Sequence, residues 1–179
     1  MARLPRDQRL SAGGPAPRPP ALVAADPASA LADRALWAYM DDIVGRYQQR
    51  PATPAEVERA LREAPSDDLA PPTGLLVVAV DGDAPIGCGG VRLLADGIAE
   101  LTRVWVASTA RRRGLATRIV AHLERNAASS GATQIRLDAR ADLVEARALY
   151  AHLGYEEVPA FNDHPYVNHW FQKPLQRSR

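Results

Sequence analysis

Three extended apolar segments in close succession constrain the fold of this chain most strongly. They are residues 73–80 (TGLLVVAV), 86–94 (IGCGGVRLL) and 98–106 (IAELTRVWV), and only the short turn sequences DGDAP and ADG separate them. Strands that are joined by such short turns pair as antiparallel neighbours. The sequence therefore predicts an antiparallel meander at the centre of the chain.

Helical segments precede this meander. A short apolar run at residues 21–26 is typical of a first strand, and apolar positions at helical spacing follow from Leu31 to Tyr47. A second helix begins after Thr53, because Thr53 is a good N-cap and Glu56 stands three residues further on, which completes a capping box.

Helices and strands alternate after the meander. The patterns predict a helix at 114–130, a strand at 133–139, a helix at 143–153 and two further strands within 155–161 and 167–175. This order predicts an α/β fold with a mixed sheet of six or seven strands and about four helices. We expect one domain at residues 21–176, preceded by a flexible Pro/Arg-rich tail at residues 1–20 that has few large apolar groups.

Charge and cysteine content exclude several classes of protein. The 179 residues carry 22 Lys and Arg against 21 Asp and Glu, so the net charge is +1 and no bulk charge favours nucleic acid or a membrane. The single cysteine, Cys88, excludes an intrachain disulfide and a cysteine-based zinc cluster. No apolar run approaches the length of a membrane span, and residues 1–20 lack the apolar core of a secretory signal. We therefore expect a cytoplasmic protein without a metal.

Three consecutive arginines, Arg111 to Arg113, stand directly before a helix that begins near Gly114. The N-terminus of a helix presents unpaired N–H groups and a partial positive charge, so it can bind a phosphate group. Gly114 has no Cβ to obstruct a ligand. The turn predicts a polyphosphate site, although an idle solvated turn is the alternative, and neither the Walker nor the Rossmann glycine pattern is present.

Two segments resemble a known family. AELTRVWVASTARRRGLATRIVAHLE (residues 99–124) is similar to the acetyl-coenzyme A motif of the GNAT N-acetyltransferase superfamily, [QR]-x-x-G-x-[GA] after a strand. ARALYAHLGYEEV (residues 146–158) resembles the A-x-x-x-Y-x-x-x-G-[FY] segment of the same family. The resemblance implies the GNAT fold, acetyl-CoA as cosubstrate and direct transfer of an acetyl group to a primary amine, here of a small molecule. A non-catalytic acyl-CoA sensor is the alternative.

The resemblance also implies where acetyl-CoA binds. The pantetheine arm would lie along the strand before the phosphate turn, and the Val106 N–H would polarise the thioester carbonyl. The residues implied for cofactor binding are Val104, Trp105, Val106, Arg111, Arg112, Arg113, Gly114, Leu115, Ala116 and Thr117. One departure is Leu143, which stands where the family often has an asparagine that contacts the cofactor.

Tyr150 matches the motif tyrosine that protonates the leaving thiolate in the family. Asp142 can cap its helix with Glu145 three residues further on. The alternative role is that of a core tyrosine whose hydroxyl meets a carbonyl group.

Glu100 is the candidate base, because it stands eleven residues before Arg111, the spacing at which histone-type members of the superfamily carry theirs. Period-2 alternation predicts that Glu100 and Val106 share a face of the strand. The alternatives are a water chain that deprotonates the amine and an ion pair of Glu100 with Arg103 or Arg92.

The resemblance also implies that the acceptor binds between the first two helices and the loop between the last strands. Acidic and aromatic side chains occur in both places and suit an ammonium group, although Asp41 and Asp42 also fit a solvated helix face. These candidates are Trp37, Tyr39, Asp41, Asp42, Tyr47, Asp163, His164, Tyr166 and His169. A nucleic-acid partner is disfavoured by the balanced charge. A homodimer is left open, because dimers are common in the superfamily.

Overall fold

The computed structural model describes residues 19–176, so residues 1–18 of the predicted tail lie outside the described part of the chain. The elements are β1 (Ala21–Ala24), α1 (Ala30–Gln48), α2 (Pro54–Glu63), β2 (Gly74–Asp81), β3 (Ala84–Leu93), β4 (Ile98–Val106), α3 (Leu115–Ser129), β5 (Gln134–Ala139), α4 (Val144–His152), β6 (Glu156–Val158) and β7 (His169–Pro174). The described residues thus form a seven-stranded mixed sheet with four helices, which confirms the predicted fold class.

The strands lie in the order β1-β2-β3-β4-β5-β7-β6. All neighbours pair antiparallel except β4 and β5, so the predicted meander of β2, β3 and β4 is confirmed. The parallel pairing is short, because it joins only Ile98–Glu100 to Gln134–Arg136. Beyond Glu100, no strand of the described chain pairs with the β5 side of β4.

A β-bulge interrupts β4. Gly89 of β3 lies alone opposite two residues of β4, Arg103 and Val104, and Arg103 adopts a φ of 55°. The extra residue reverses the alternation of side chains, so Val106 joins the core cluster on the α3 face, as Leu101 does before the bulge. Glu100 lies on the opposite face. The prediction that Glu100 and Val106 share a face is therefore wrong, because strict period-2 alternation does not survive a bulge.

Helices cover both faces of the sheet. On one face, α3 and α4 pack on a large core that includes Ile119, Leu137 and Phe171. The fit is close at β3, where a Cβ on Gly89 would lie 2.6 Å from Cγ2 of Ile119. On the other face, α1 and the segment after α2 pack through Leu36 and other buried apolar groups. The two layers cover the central strands, and β4 and β5 diverge between them past their short parallel pairing.

Of the two N-terminal helix caps that the sequence predicts, one is present in the structure and one is not. The capping box of Thr53 and Glu56 is present at the start of α2, as predicted. The predicted cap of α4 by Asp142 is wrong. The Asp142 carboxylate accepts hydrogen bonds of 2.6 and 2.8 Å from Arg140 instead, and α4 begins after Leu143 with no side-chain cap from the described residues.

Candidate functional site

A cavity of about 370 Å³ opens beside the part of β4 that β5 leaves unpaired. We call it the β4–α3 cavity. Its lining comes from α1, β4, the arginine turn, the start of α3 and α4: Asp42, Ile43, Arg46, Val104, Trp105, Val106, Ala110, Arg111, Arg112, Gly114, Leu115, Ala116, Thr117, Leu143, Glu145, Ala146, Leu149 and Tyr150. Nine of the ten residues predicted to bind a cofactor line this cavity, and the exposed Arg113 does not. Tyr150 lies in the same lining.

The N-terminus of α3 forms one wall of the β4–α3 cavity. Gly114 is the N-cap residue with a φ of 72°, and no side chain of the described chain caps the helix. The N–H groups of the first turn therefore have no acceptor within the helix. A Cβ at Gly114 would meet no described atom within 4 Å, so the space above this turn is open. The wall can accept an anionic group.

Arg111 is already engaged inside the protein. Its Nε–H donates to the carbonyl oxygen of Val106 at 3.0 Å, and its Nη2 donates to Oδ2 of Asp42 at 3.0 Å. Arg111 therefore ties the end of β4 to α1. Arg112 has a φ of 59° and is exposed at the cavity.

A chain of four alternating charges crosses the β4–α3 cavity wall. Arg111 pairs with Asp42, Asp42 pairs with Arg46 at 3.3 Å, and Arg46 contacts Glu145 of α4. Sequence reasoning placed Asp42 with the acceptor and did not select Arg46. The only local signal was the i, i+4 spacing of Asp42 and Arg46 on α1, which does not reveal the contacts with Arg111 and Glu145.

The unpaired side of β4 offers backbone hydrogen-bonding groups to the cavity. Val104, Trp105 and Val106 all line the cavity, and the parallel pairing with β5 ends well before them. An extended ligand can pair with such a strand edge. The bulge at Arg103 directly precedes this segment and turns it away from β5.

Tyr150 is 6% exposed and packs edge-on against Tyr155, with 5.6 Å between the ring centroids. Burial raises the pKa of the Tyr150 hydroxyl, and the nearby Tyr39 and Asp138 raise that pKa further. The hydroxyl is therefore protonated at neutral pH and can donate a proton or a hydrogen bond. No group of residues 19–176 forms a hydrogen bond with it.

Glu100 does not lie in the β4–α3 cavity. Its Oε1 accepts from Arg92 at 3.5 Å, and its Oε2 accepts from Arg136 at 3.2 Å. The ion pair with Arg92 is thus present, whereas Arg103 donates instead to Ser66 and to the carbonyl oxygens of Ala64 and Pro65. The structure does not bring the two predicted catalytic residues, Glu100 and Tyr150, into one cavity.

A second cavity, of about 590 Å³, lies on the face of the sheet that Glu100 occupies. Carboxylates outnumber cations in its lining, so we call it the acidic cavity. The residues are Glu63, Ala64, Pro65, Asp67, Asp68, Arg92, Glu100, Thr102, Arg103, Asp138, Asn162 and His164. The excess of negative charge suits a cationic ligand.

The residues predicted for the acceptor are dispersed. His164 lines the acidic cavity, whereas His169 pairs with Glu157 at 2.6 Å. Tyr47 and Tyr166 are both more than half exposed and form an edge-on pair, with 5.3 Å between the ring centroids. Sequence reasoning missed Asp138 and Asn162, for which the sequence carries no motif.

Neither a membrane span nor a metal cluster is found in the described part of the chain. Within residues 19–176, no helix combines the length and apolar composition that crossing a membrane requires. The same residues contain no group of three or more His, Cys, Asp or Glu side chains that could hold a metal ion.

The fold and the β4–α3 cavity define the class of protein. It is a mixed α/β protein whose central parallel strands diverge beside a helix N-terminus that can hold an anion. Residues 36–155 match the Acetyltransferase (GNAT) family. The chain therefore belongs to the GNAT acetyltransferase family, and the predicted family is confirmed.

Solved structures share this fold at low sequence identity. A proposed acyl-CoA N-acyltransferase from Klebsiella pneumoniae is 22% identical with a TM-score of 0.67, and the match covers 88% of this chain and 98% of that one. The PaiA N-acetyltransferase from Thermoplasma acidophilum, solved with coenzyme A, is 13% identical with a TM-score of 0.67 and coverage of 86% and 99%. An aminoglycoside 6′-N-acetyltransferase, also solved with coenzyme A, is 20% identical with a TM-score of 0.58 and coverage of 89% and 99%. A comparison with curated proteins finds no matching relative.

Proposed function

We propose that this protein is an N-acetyltransferase that moves an acetyl group from acetyl-CoA to the primary amine of a small cationic molecule. The main support for this proposal is the lining of the β4–α3 cavity. The β4–α3 cavity combines an open helix N-terminus, an unpaired strand edge and a buried tyrosine, and these are three groups that thioester aminolysis can use. Two solved structures with the same fold were determined with coenzyme A.

The residues of the β4–α3 cavity fit acetyl-CoA. The first-turn N–H groups of α3, from Leu115 to Thr117, suit a pyrophosphate, and the open space above Gly114 lets it approach the backbone. The edge of Val104–Val106 suits the amides of an extended pantetheine arm. Arg112 and Arg113 are exposed beside this turn and add positive charge near the phosphates.

Acetyl-CoA, when bound, supplies the acetyl group as a thioester. In the proposed reaction the N–H of Val106 donates a hydrogen bond to the acetyl carbonyl and stabilises the negative charge that develops there. The Tyr150 hydroxyl donates a proton to the departing sulfur. The raised pKa of Tyr150 means that the hydroxyl carries this proton at neutral pH.

The acidic cavity is the proposed acceptor site. Its carboxylates attract an ammonium group, and its lining residues Glu100 and Asp138 lie on the two strands that diverge at the β4–α3 cavity. An amine bound there can approach the thioester through the gap between the strands. We also propose a cytoplasmic location, where the free thiol of the buried Cys88 stays reduced.

Thiol release tests the proposal. Purified protein with acetyl-CoA is mixed with a panel of primary amines that includes monoamines, diamines, aminoglycosides and amino-acid amides, and free CoA is measured. We expect release with cationic members of the panel. Binding of acetyl-CoA without release on any amine would favour the alternative, a non-catalytic acyl-CoA-binding module.

A further inference from the structure

We propose that Asp138 of β5, and not Glu100 of β4, is the carboxylate that binds the acceptor amine and takes up its proton. This inference rests on the proposed acetyl transfer. Nothing in the sequence pattern selects Asp138, and the assignment follows from its place in the fold.

Asp138 lies just past the end of the parallel pairing between β4 and β5. The last paired residues of the parallel strands are Glu100 and Arg136, and Asp138 follows Arg136 by two residues on the same face of β5. Its side chain lines the acidic cavity. The charge of Asp138 also contributes to the raised pKa of the Tyr150 hydroxyl.

Neighbouring groups orient the Asp138 carboxylate. Nδ2 of Asn162 donates to Oδ2 of Asp138 at 2.8 Å, and Oδ1 of Asn162 accepts from Nε1 of Trp170 at 2.9 Å. The indole N–H thus fixes which way the Asn162 amide points. Within residues 19–176, Oδ1 of Asp138 accepts no hydrogen bond, so one oxygen is available to a ligand that enters the cavity.

Glu100 is arranged differently. Both of its oxygens accept from guanidinium groups, those of Arg92 and Arg136. These two cations compensate its charge and occupy the directions from which an ammonium group would approach. Glu100 therefore serves to hold β3, β4 and β5 together at the last parallel pair, because Arg92 lies on β3 and Arg136 on β5.

The proposed step transfers the acetyl group to the amine and releases one proton. An N–H of the acceptor ammonium donates to Oδ1 of Asp138, and its proton moves to that oxygen as the nitrogen lone pair forms a bond with the acetyl carbonyl carbon. The carbon–sulfur bond breaks, Tyr150 protonates the sulfur, and one of the two protons still on nitrogen moves to the Tyr150 oxygen, so the amide keeps one N–H. Asp138 then releases its proton to water in the open acidic cavity. The net products are an N-acetylamine, CoA thiol and one proton.

The test compares four variants: D138N, D138E, E100Q and D81N. D81N is the matched control, because it removes the charge of an exposed Asp at the end of β2. The amine that gives the fastest thiol release with the wild type is used throughout. Steady-state rates give kcat/KM for this amine, calorimetry gives its Kd in CoA-saturated protein, and a second titration gives the Kd of acetyl-CoA.

We expect D138N to lower kcat/KM for the amine by about 100-fold, in the range of a lost acid–base group. Its amine Kd rises by about tenfold, which is the loss of one charge-assisted hydrogen bond, while the acetyl-CoA Kd stays at the wild-type value. D138E retains more activity than D138N because it keeps the carboxylate, E100Q loses less than D138N, and D81N matches the wild type.

A D138N variant that keeps the wild-type kcat/KM and amine Kd would overturn the assignment of Asp138, and so would a larger loss in E100Q than in D138N. These results leave the acetyl transfer intact. If the wild type itself releases no thiol with any amine, the proposed function fails, and the role of Asp138 fails with it. A D138N variant that lost both acetyl-CoA binding and thermal stability would show that Asp138 is structural.

Discussion

Arg111 and Asp42 form an ion pair in the wall of the cavity that we assign to acetyl-CoA, with 3.0 Å between Nη2 of Arg111 and Oδ2 of Asp42. The two residues stand 69 positions apart in the sequence, and their side chains are only about a third exposed. The cation of the phosphate turn is therefore paired with a carboxylate before any ligand binds. An incoming polyphosphate meets a negative charge beside the turn as well as the positive charges of the turn itself.

The first prediction concerns this carboxylate. D42N removes a negative charge that repels the phosphates and releases Arg111 to contact them. We expect the Kd of acetyl-CoA to fall by about threefold at low salt and the gain to shrink at high salt, because partly exposed pairs contribute about 0.2–1 kcal/mol. Calorimetry measures both conditions, with D41N, an exposed neighbour on α1, as the control. Weaker binding in D42N would mean that Asp42 orients Arg111 for the ligand.

The second prediction concerns the backbone at the start of α3. G114A places a methyl group in the open space above the first-turn N–H groups, at a φ of 72°. We expect a loss of stability of about 1 kcal/mol from the left-handed conformation, and a rise in the acetyl-CoA Kd of about tenfold or more from the obstructed approach.

G82A is the control for G114A. Gly82 lies in the β2–β3 turn with a φ of 59°, and a Cβ there likewise meets no described atom within 4 Å. The conformational cost is thus comparable in both variants, but the cofactor affinity is expected to change only in G114A. If G114A and G82A bind acetyl-CoA with equal affinity, the N-terminus of α3 is not part of the binding site.

The third prediction concerns the proposed acid. Y150F deletes the hydroxyl of a tyrosine that lines the cavity, and we expect kcat to fall by about 100-fold with little change in the acetyl-CoA Kd. Y155F is a matched control, because Tyr155 is also buried and packs on the Tyr150 ring but lies outside the cavity lining. If Y150F and Y155F have the same turnover, Tyr150 is a core residue and does not act as the acid.

The fourth prediction concerns Cys88. Burial raises the pKa of its thiol to about 12, and the thiol donates to the carbonyl oxygen of Arg103. The reactive thiolate is thus absent at neutral pH, so a thiol reagent is expected to label Cys88 only after denaturation. Rapid labelling of the native protein would contradict this burial.

The same shift has a consequence for stability. Above pH about 9 the unfolded thiol ionises while the folded thiol does not, so the unfolded state binds fewer protons and stability falls by about 1.4 kcal/mol per pH unit towards pH 12. Below pH about 9 the thiol is protonated in both states, so it does not change the pH dependence of the free energy of unfolding. Urea denaturation at pH 8 to 10 measures the fall, which is expected to be shallower in C88A.

The sequence predicted the elements and the family because those depend on local patterns. The bounds of β4 and the capping box of α2 were both correct, and the two GNAT motifs lie within continuous segments. The start of α3 was also predicted from a local signal, because the residue type of Gly114 indicates where the helix begins.

Other features depend on contacts between distant segments. The bulge at Arg103 arises from the register with β3, so alternation along β4 alone placed Glu100 on the wrong face. The hydrogen bond between Asp138 and Asn162 joins residues 24 positions apart, and no local pattern identifies it. The family resemblance placed the candidate base on β4, whereas we propose a base on β5.

The most direct test of the central claim is a calorimetric titration of acetyl-CoA into the wild-type protein, with G114A titrated in parallel. We predict saturable binding at a single site, with a Kd on the order of 10 μM for the wild type and about tenfold weaker binding for G114A. An absence of binding to the folded wild type would contradict the account. It would mean that the cavity beside β4 and the N-terminus of α3 do not form an acetyl-CoA site.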